Sequence, residues 1–103
     1  MRAMHVESEQ IGVTVVRCFG ELTLAEIARV AAASARARAS GRAAVVDLSR
    51  VSHLHYSGAR LLGSVPGLRL AGASRYLRTL LWAGGVYGQV ELHEDVAEAV
   101  RAG

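Results

Sequence analysis

The segment His53-Leu54-His55-Tyr56-Ser57-Gly58 gathers most of the side chains in this chain that could do chemistry. Two histidines at i and i+2 point the same way if they lie in a strand. That spacing could supply two nitrogen ligands to a metal, yet no third ligand is near in sequence and the chain has no Cys-x-x-Cys. His5 and His93 are the remaining histidines and both are distant along the chain. We therefore read His53 and His55 as loop histidines at the lip of a sheet and expect no metal and no cofactor. Ser57 could pair with His55 or His53, with Asp47 as orienter. Nothing else marks a nucleophile elbow or an oxyanion hole, so Ser57 reads as a helix N-cap and no catalytic residue is expected. A second reading stays open, in which the helix start at Ser57-Gly58 holds a nucleotide or another small anion. Gly84-Gly85-Val86-Tyr87-Gly88 is glycine-rich but follows a helix, so it reads as a C-cap and turn instead of a phosphate loop.

These residues need elements to position them. Met4–Glu7 reads as a short first strand, 9–12 as a turn, and Val13–Phe19 as a buried β-branched strand ended by Gly20. Leu24–Ala39 is alanine-rich and free of proline and glycine, so it reads as a helix with Leu24, Ile27 and Val30 or Ala31 on its core face. Thr23 and Glu26 make a capping box before it, and Gly41 stops it. Ala43–Leu48 reads as a second buried strand. A short helix from Ser57 to about Gly63 follows the loop, and Pro66-Gly67 breaks the chain. Leu68–Gly72 is a strand. Ser74 caps a helix over Arg75–Ala83 with Leu77, Leu80 and Leu81 inward. Val90–Leu92 is a short edge strand, and Glu94 and Asp95 lead a last helix over Val96–Arg101. The order is ββαβαβαβα. It predicts an α/β fold with a mixed sheet of four to five strands and about four helices.

A chain of 103 residues predicts one domain spanning 1–103. It is 51% hydrophobic and 20% charged, the balance of a folded protein. No apolar run approaches the roughly 20 residues that span a bilayer, and the polar start after Met1 has no signal-peptide core. Cys18 is a lone cysteine in an apolar strand, which reads as a small buried hydrophobe in a reducing cytoplasm. The net charge of +3 comes with twelve arginines and no lysine, spread along the chain. The densest group, Arg36, Arg38 and Arg42, sits where cations suit a helix C-terminus. A phosphate-binding patch is the other reading of that group, and no direct nucleic-acid contact is expected. Trp82 and Tyr87 read as aromatics packed on the core edge, with exposed contact anchors as the alternative.

Several segments together carry a family resemblance. Gly20-Glu21-Leu22-Thr23, Val46-Asp47-Leu48-Ser49-Arg50-Val51, Leu70-Ala71-Gly72-Ala73-Ser74 and Val96-Ala97-Glu98-Ala99-Val100 resemble, in order and spacing, the STAS domain of bacterial anti-sigma factor antagonists. That family has Asp-Ser-Ser-Gly or Asp-Ser-Thr-Gly where this chain has His55-Tyr56-Ser57-Gly58. The resemblance places Tyr56 at the phospho-acceptor position and leaves Ser57 as an alternative acceptor. The helix after Gly58 is about two turns shorter than the family's.

The resemblance implies a non-enzymatic regulatory module. It would bind a protein partner, an anti-sigma factor or a serine kinase-like ATP-binding protein, through His53, His55, Tyr56, Ser57, Gly58, Arg60 and Leu61. The usual serine phospho-switch would be lost or moved. A small-ligand domain, or an accessory STAS subunit of a transporter or other assembly, is the alternative. The shortened helix also predicts uncovered apolar surface around Leu61, Leu62, Val65 and Trp82, and with it a homodimer. Membrane insertion is not expected.

Overall fold

The computed structural model describes residues 4–10, 12–86 and 88–102. Its elements are β1 (Met4–Gln10), β2 (Val13–Leu22), α1 (Leu24–Ala39), β3 (Ala43–Leu54), a 3₁₀ turn (Tyr56–Gly58), α2 (Ala59–Gly63), β4 (Arg69–Ala71), α3 (Arg75–Ala83), β5 (Glu91–His93) and α4 (Val96–Arg101). The five strands form one sheet in the order β1-β2-β3-β4-β5. β1 is antiparallel to β2, and every later pairing is parallel. The sheet is mixed, as the element order predicts. The expectation for Tyr87 lies outside the described residues.

β-branched alternation explains the two layers. In β2 and β3, Val16, Val46 and Leu48 face the larger core under α1, α2 and α3. Val13, Val15 and Val45 face the opposite side, where Ala71 and Ala99 meet them and Val96 and Val100 of α4 pack against the cluster. Both faces of the central strands are buried, so their sequences are continuously apolar.

Local rules set the helix ends. Thr23 Oγ1 accepts the Glu26 N–H at 3.2 Å and Glu26 Oε1 accepts the Thr23 N–H at 2.9 Å. That is the reciprocal capping box. Gly41 follows α1 at φ +82°, a conformation open to glycine. Ser74 Oγ accepts the Leu77 N–H, and Asp95 Oδ1 accepts the Glu98 N–H. Ile27 and Val30 form the buried stripe of α1 with Ala33, Ser34 and Ala37. Leu24, expected on that stripe, is 48% exposed.

Three further expectations are corrected. β2 and β3 run on to Leu22 and Leu54, well past Phe19 and Leu48. They stay paired through register shifts between Arg17 and Phe19 and between Gly20 and Glu21. Leu48 and Ser49 fall between the paired residues at the first shift, and Asp47 Oδ1 accepts the Ser49 N–H at 3.0 Å. Asp47 is buried and also faces Arg17 at 3.7 Å. Second, the short helix does not leave Leu62 and Val65 uncovered. Leu62 and Val65 are 1% and 2% exposed, because residues 62–68 fold back and join the core with Leu68 and Val86. Of the surface expected to carry a dimer, Leu62 and Val65 thus lie in the core, Leu61 is half-buried and Trp82 is exposed. Third, Trp82 is 69% exposed and not core-packed. Leu77 and Leu81 occupy the buried side of α3, and residue 82 lies about 100° round the helix from residue 81.

Arg38 has a structural task. Its Nε donates to the Pro66 carbonyl at 2.9 Å and a terminal nitrogen donates to the Arg42 carbonyl at 3.2 Å. This ties the end of α1 to the folded-back segment. Cys18 is 1% exposed, and burial, reinforced by Asp47 and Glu26, pushes its thiol up to about 12. Burial of this kind disfavours the reactive thiolate.

Candidate functional site

The loop that follows β3 carries the site residues. His53 is the penultimate residue of the strand and exposed; its Nδ1 is 2.6 Å from the Tyr76 hydroxyl, with the rings stacked at 5.7 Å. His55 lies past the strand end. Its Nδ1 accepts the Ser57 N–H at 3.2 Å, and its ring stacks on Tyr56. The two histidines therefore take separate partners. Among the described residues no three His, Cys, Asp or Glu side chains form a metal-sized group. His5 lies in β1, and His93 in β5 sits between Glu91 and Glu98, each at 3.1 Å.

His55, not Ser57, is the N-cap of the 3₁₀ turn. The reason is geometric: an acceptor must precede the N–H groups it caps, and Ser57 is already inside the turn. Ser57 is exposed. Asp47 hydrogen-bonds Ser49 and pairs with Arg17, and neither interaction reaches Ser57. A Ser57–His–Asp47 relay is not assembled.

Gly58 is buried under the loop with an ordinary φ of −77°. A Cβ there would come within 2.6 Å of Ile27 Cδ1 and 3.3 Å of Leu24 Cδ1, so a larger residue would have to displace the Ile27 side chain. Arg60 is exposed near the start of α2, and Leu61 is half-buried against the main core.

The end of α3 forms the other wall. A Cβ at Gly84 would lie 2.6 Å from Ala59 Cβ and 2.8 Å from the Tyr56 carbonyl oxygen, so α3 docks its C-terminus directly on the 3₁₀ turn. Tyr56, Ser57, Arg60, Ala83 and Gly84 line a cleft of about 320 Å³ between them. Sequence reasoning missed Tyr76. Its signal was present: with Leu77 and Leu81 inward, position 76 falls off the core face of α3.

The large apolar side chains left exposed among the described residues are Leu24 at 48%, Tyr56 at 57%, Tyr76 at 51% and Trp82 at 69%. Three of them, Leu24, Tyr56 and Tyr76, lie in or beside the loop 53–58. Leu24 approaches Gly58, Tyr76 holds His53, and Trp82 precedes the Ala83-Gly84 wall of the cleft. The cleft offers an exposed aromatic side chain, Tyr56, with Arg60 beside it. It assembles no nucleophile, base and orienter among the described residues.

The sequence matches no protein-family model and no curated protein. Solved structures do match. The anti-sigma factor antagonist SpoIIAA in its unphosphorylated form aligns with a TM-score of 0.67 at 18% identity, over 95% of this chain and 94% of that one. The phosphorylated form of SpoIIAA, a Bacillus cell fate determinant, aligns at 0.63 and 23% identity over 95% and 96%. An uncharacterized Shewanella loihica protein with a SpoIIAA-like fold aligns at 0.52 and 17% identity over 95% and 89%. The protein thus has the α/β architecture of the STAS fold. More particularly, its fold is that of SpoIIAA across nearly the whole chain.

Proposed function

We propose that this protein is a non-enzymatic, STAS-type regulatory module of the cytoplasm. It binds a protein partner through the loop 53–58, the first turn of α2 and the end of α3. The observation that carries this reading is the exposure of Tyr56 in the loop with Leu24 and Tyr76, both also exposed, beside it. Single exposed hydrophobes are ordinary, but several around one loop mark a contact surface. The likeness to the anti-sigma factor antagonist SpoIIAA supports an anti-sigma factor or serine kinase-like partner. In this chain Tyr56 stands where that family carries its acceptor serine, so the phospho-switch is lost or has moved to Ser57.

Partner capture tests the reading. The tagged wild-type protein and Tyr56→Ala are used as baits in lysate of the source cell, with captured proteins identified by mass spectrometry. A partner retained by wild type and lost with Tyr56→Ala, at unchanged thermal stability, supports the reading. Capture that is indifferent to Tyr56 and to Arg60→Glu refutes the loop as the contact.

A further inference from the structure

α3 and the elements after it differ in their charged residues. β5, α4 and the turn between them carry Glu91, Glu94, Asp95 and Glu98. α3 carries Arg75 and Arg78 in its first turn and no carboxylate anywhere. A cation in the first turn of a helix opposes the macrodipole. Arg78 has internal partners: its Nε donates to the Ala73 carbonyl at 3.2 Å, and a terminal nitrogen faces Glu94 at 3.6 Å. Among the described residues Arg75 has no ion pair, and its side chain is left to solvent. Arg75, Arg78, Thr79 and Trp82 together wall an open recess of about 340 Å³. A basic rim around an exposed indole is thus built onto α3 at a local cost in helix stability. Departures of this kind concentrate at functional sites.

We infer that the outer face of α3 docks an acidic, partly apolar segment of a protein partner. A carboxylate of that segment pairs with Arg75, and a neighbouring apolar side chain covers Trp82. The inference rests on the proposed interaction module and adds the chemistry of its partner. Arginine offers carboxylates a bidentate fork, and the indole adds area that only an apolar neighbour can use. The footprint is one helix of nine residues with one unpaired cation. That suits a single peptide segment better than a nucleic-acid backbone, which needs a longer run of cations.

Trp82 is the only tryptophan of the chain and reports directly on its own face. The intact protein is titrated with a blocked dodecapeptide of alternating glutamate and leucine, with its lysine–leucine counterpart, and with a single-stranded uridine dodecamer, while tryptophan emission is followed. The expected result is a saturable blue shift with the acidic peptide alone, weakened by salt, and an apparent Kd about tenfold weaker in Arg75→Glu. Arg101→Glu, on α4, serves as the charge-matched control and should titrate like wild type. No saturable shift overturns the inference, as does an equal response from Arg75→Glu or tighter binding of the uridine oligomer. Arg75→Glu is also used as bait in the partner capture. If a partner depends on Tyr56 but not on Arg75, the interaction reading stands and this inference falls.

Discussion

His53 Nδ1 lies 2.6 Å from the Tyr76 hydroxyl, joining the end of β3 to the first turn of α3. The pair is exposed, so water competes for both groups and the net stabilisation is small. Its consequence is positional: Tyr76 holds the His53 ring to one side of the loop on which Tyr56 and His55 stand. Tyr76→Phe should cost less than about 1 kcal/mol of unfolding free energy. If Tyr76 belongs to the contact surface, partner binding should fall more than stability does. Urea melts beside a binding isotherm separate the two, and a loss of several kcal/mol would make the pair a structural latch instead.

Phosphorylation is tested directly. The phenol of Tyr56 projects its oxygen several ångströms beyond the reach of a serine hydroxyl, and the ring stacks on His55. An anti-sigma serine kinase with ATP should leave Tyr56 unmodified, as site mapping by mass spectrometry would reveal. Stoichiometric phosphate on Tyr56 refutes the expectation, and phosphate on Ser57 shows that the switch has moved by one residue.

Gly58→Val should destabilise by about 1–3 kcal/mol through overpacking against Ile27. The φ of −77° makes backbone strain irrelevant, so the penalty is steric alone. Gly58→Ala combined with Ile27→Val should therefore cost less than the sum of the single changes. Additive denaturant midpoints would place the clash elsewhere.

Leu62 is 1% exposed in the main core. Leu62→Ala should cost about 2–5 kcal/mol, and Leu62→Arg should unfold the domain instead of dispersing an oligomer. Circular dichroism and sedimentation of the arginine variant distinguish these outcomes. A folded, monomeric Leu62→Arg variant beside a dimeric wild type would restore the surface expected from the short helix.

The capping box predicts a pH dependence. The Thr23 backbone N–H, then the Thr23 hydroxyl, hold the Glu26 carboxyl below its ordinary value of 4.5. A depressed folded value means that the carboxylate stabilises the fold fully above the unfolded value and loses that contribution as pH falls through the folded one. Glu26→Gln should thus be less stable than wild type near neutral pH and converge with it in acid. Thr23→Ala removes the cap and should cost about 1 kcal/mol. Thermal melts from neutral pH down into the acid range test both, and a constant gap across that range would exclude the linkage.

Element order and helix ends were legible in the sequence because they depend on neighbours a few residues apart. Thr23 with Glu26, Ser74 with Leu77, and Asp95 with Glu98 are each local hydrogen-bond pairings that need no tertiary partner. The valines of β2 and β3 announce burial on both faces for the same reason: alternation is a property of the strand itself. The loop 53–58 was legible as a candidate site because its residue types are unusual together. The tertiary structure decided the rest. β3 reaches Leu54 only because β2 runs beside it through two register shifts, and register of that kind depends on a distant segment. Leu62 and Val65 are buried because residues 62–68 turn back onto the core, held by Arg38 at the Pro66 carbonyl. Trp82 stands in solvent because Leu77 and Leu81 choose which arc of α3 is covered. Periodicity shows that a helix has a buried arc; only the sheet beneath it decides where that arc lies, and so which aromatics remain outside.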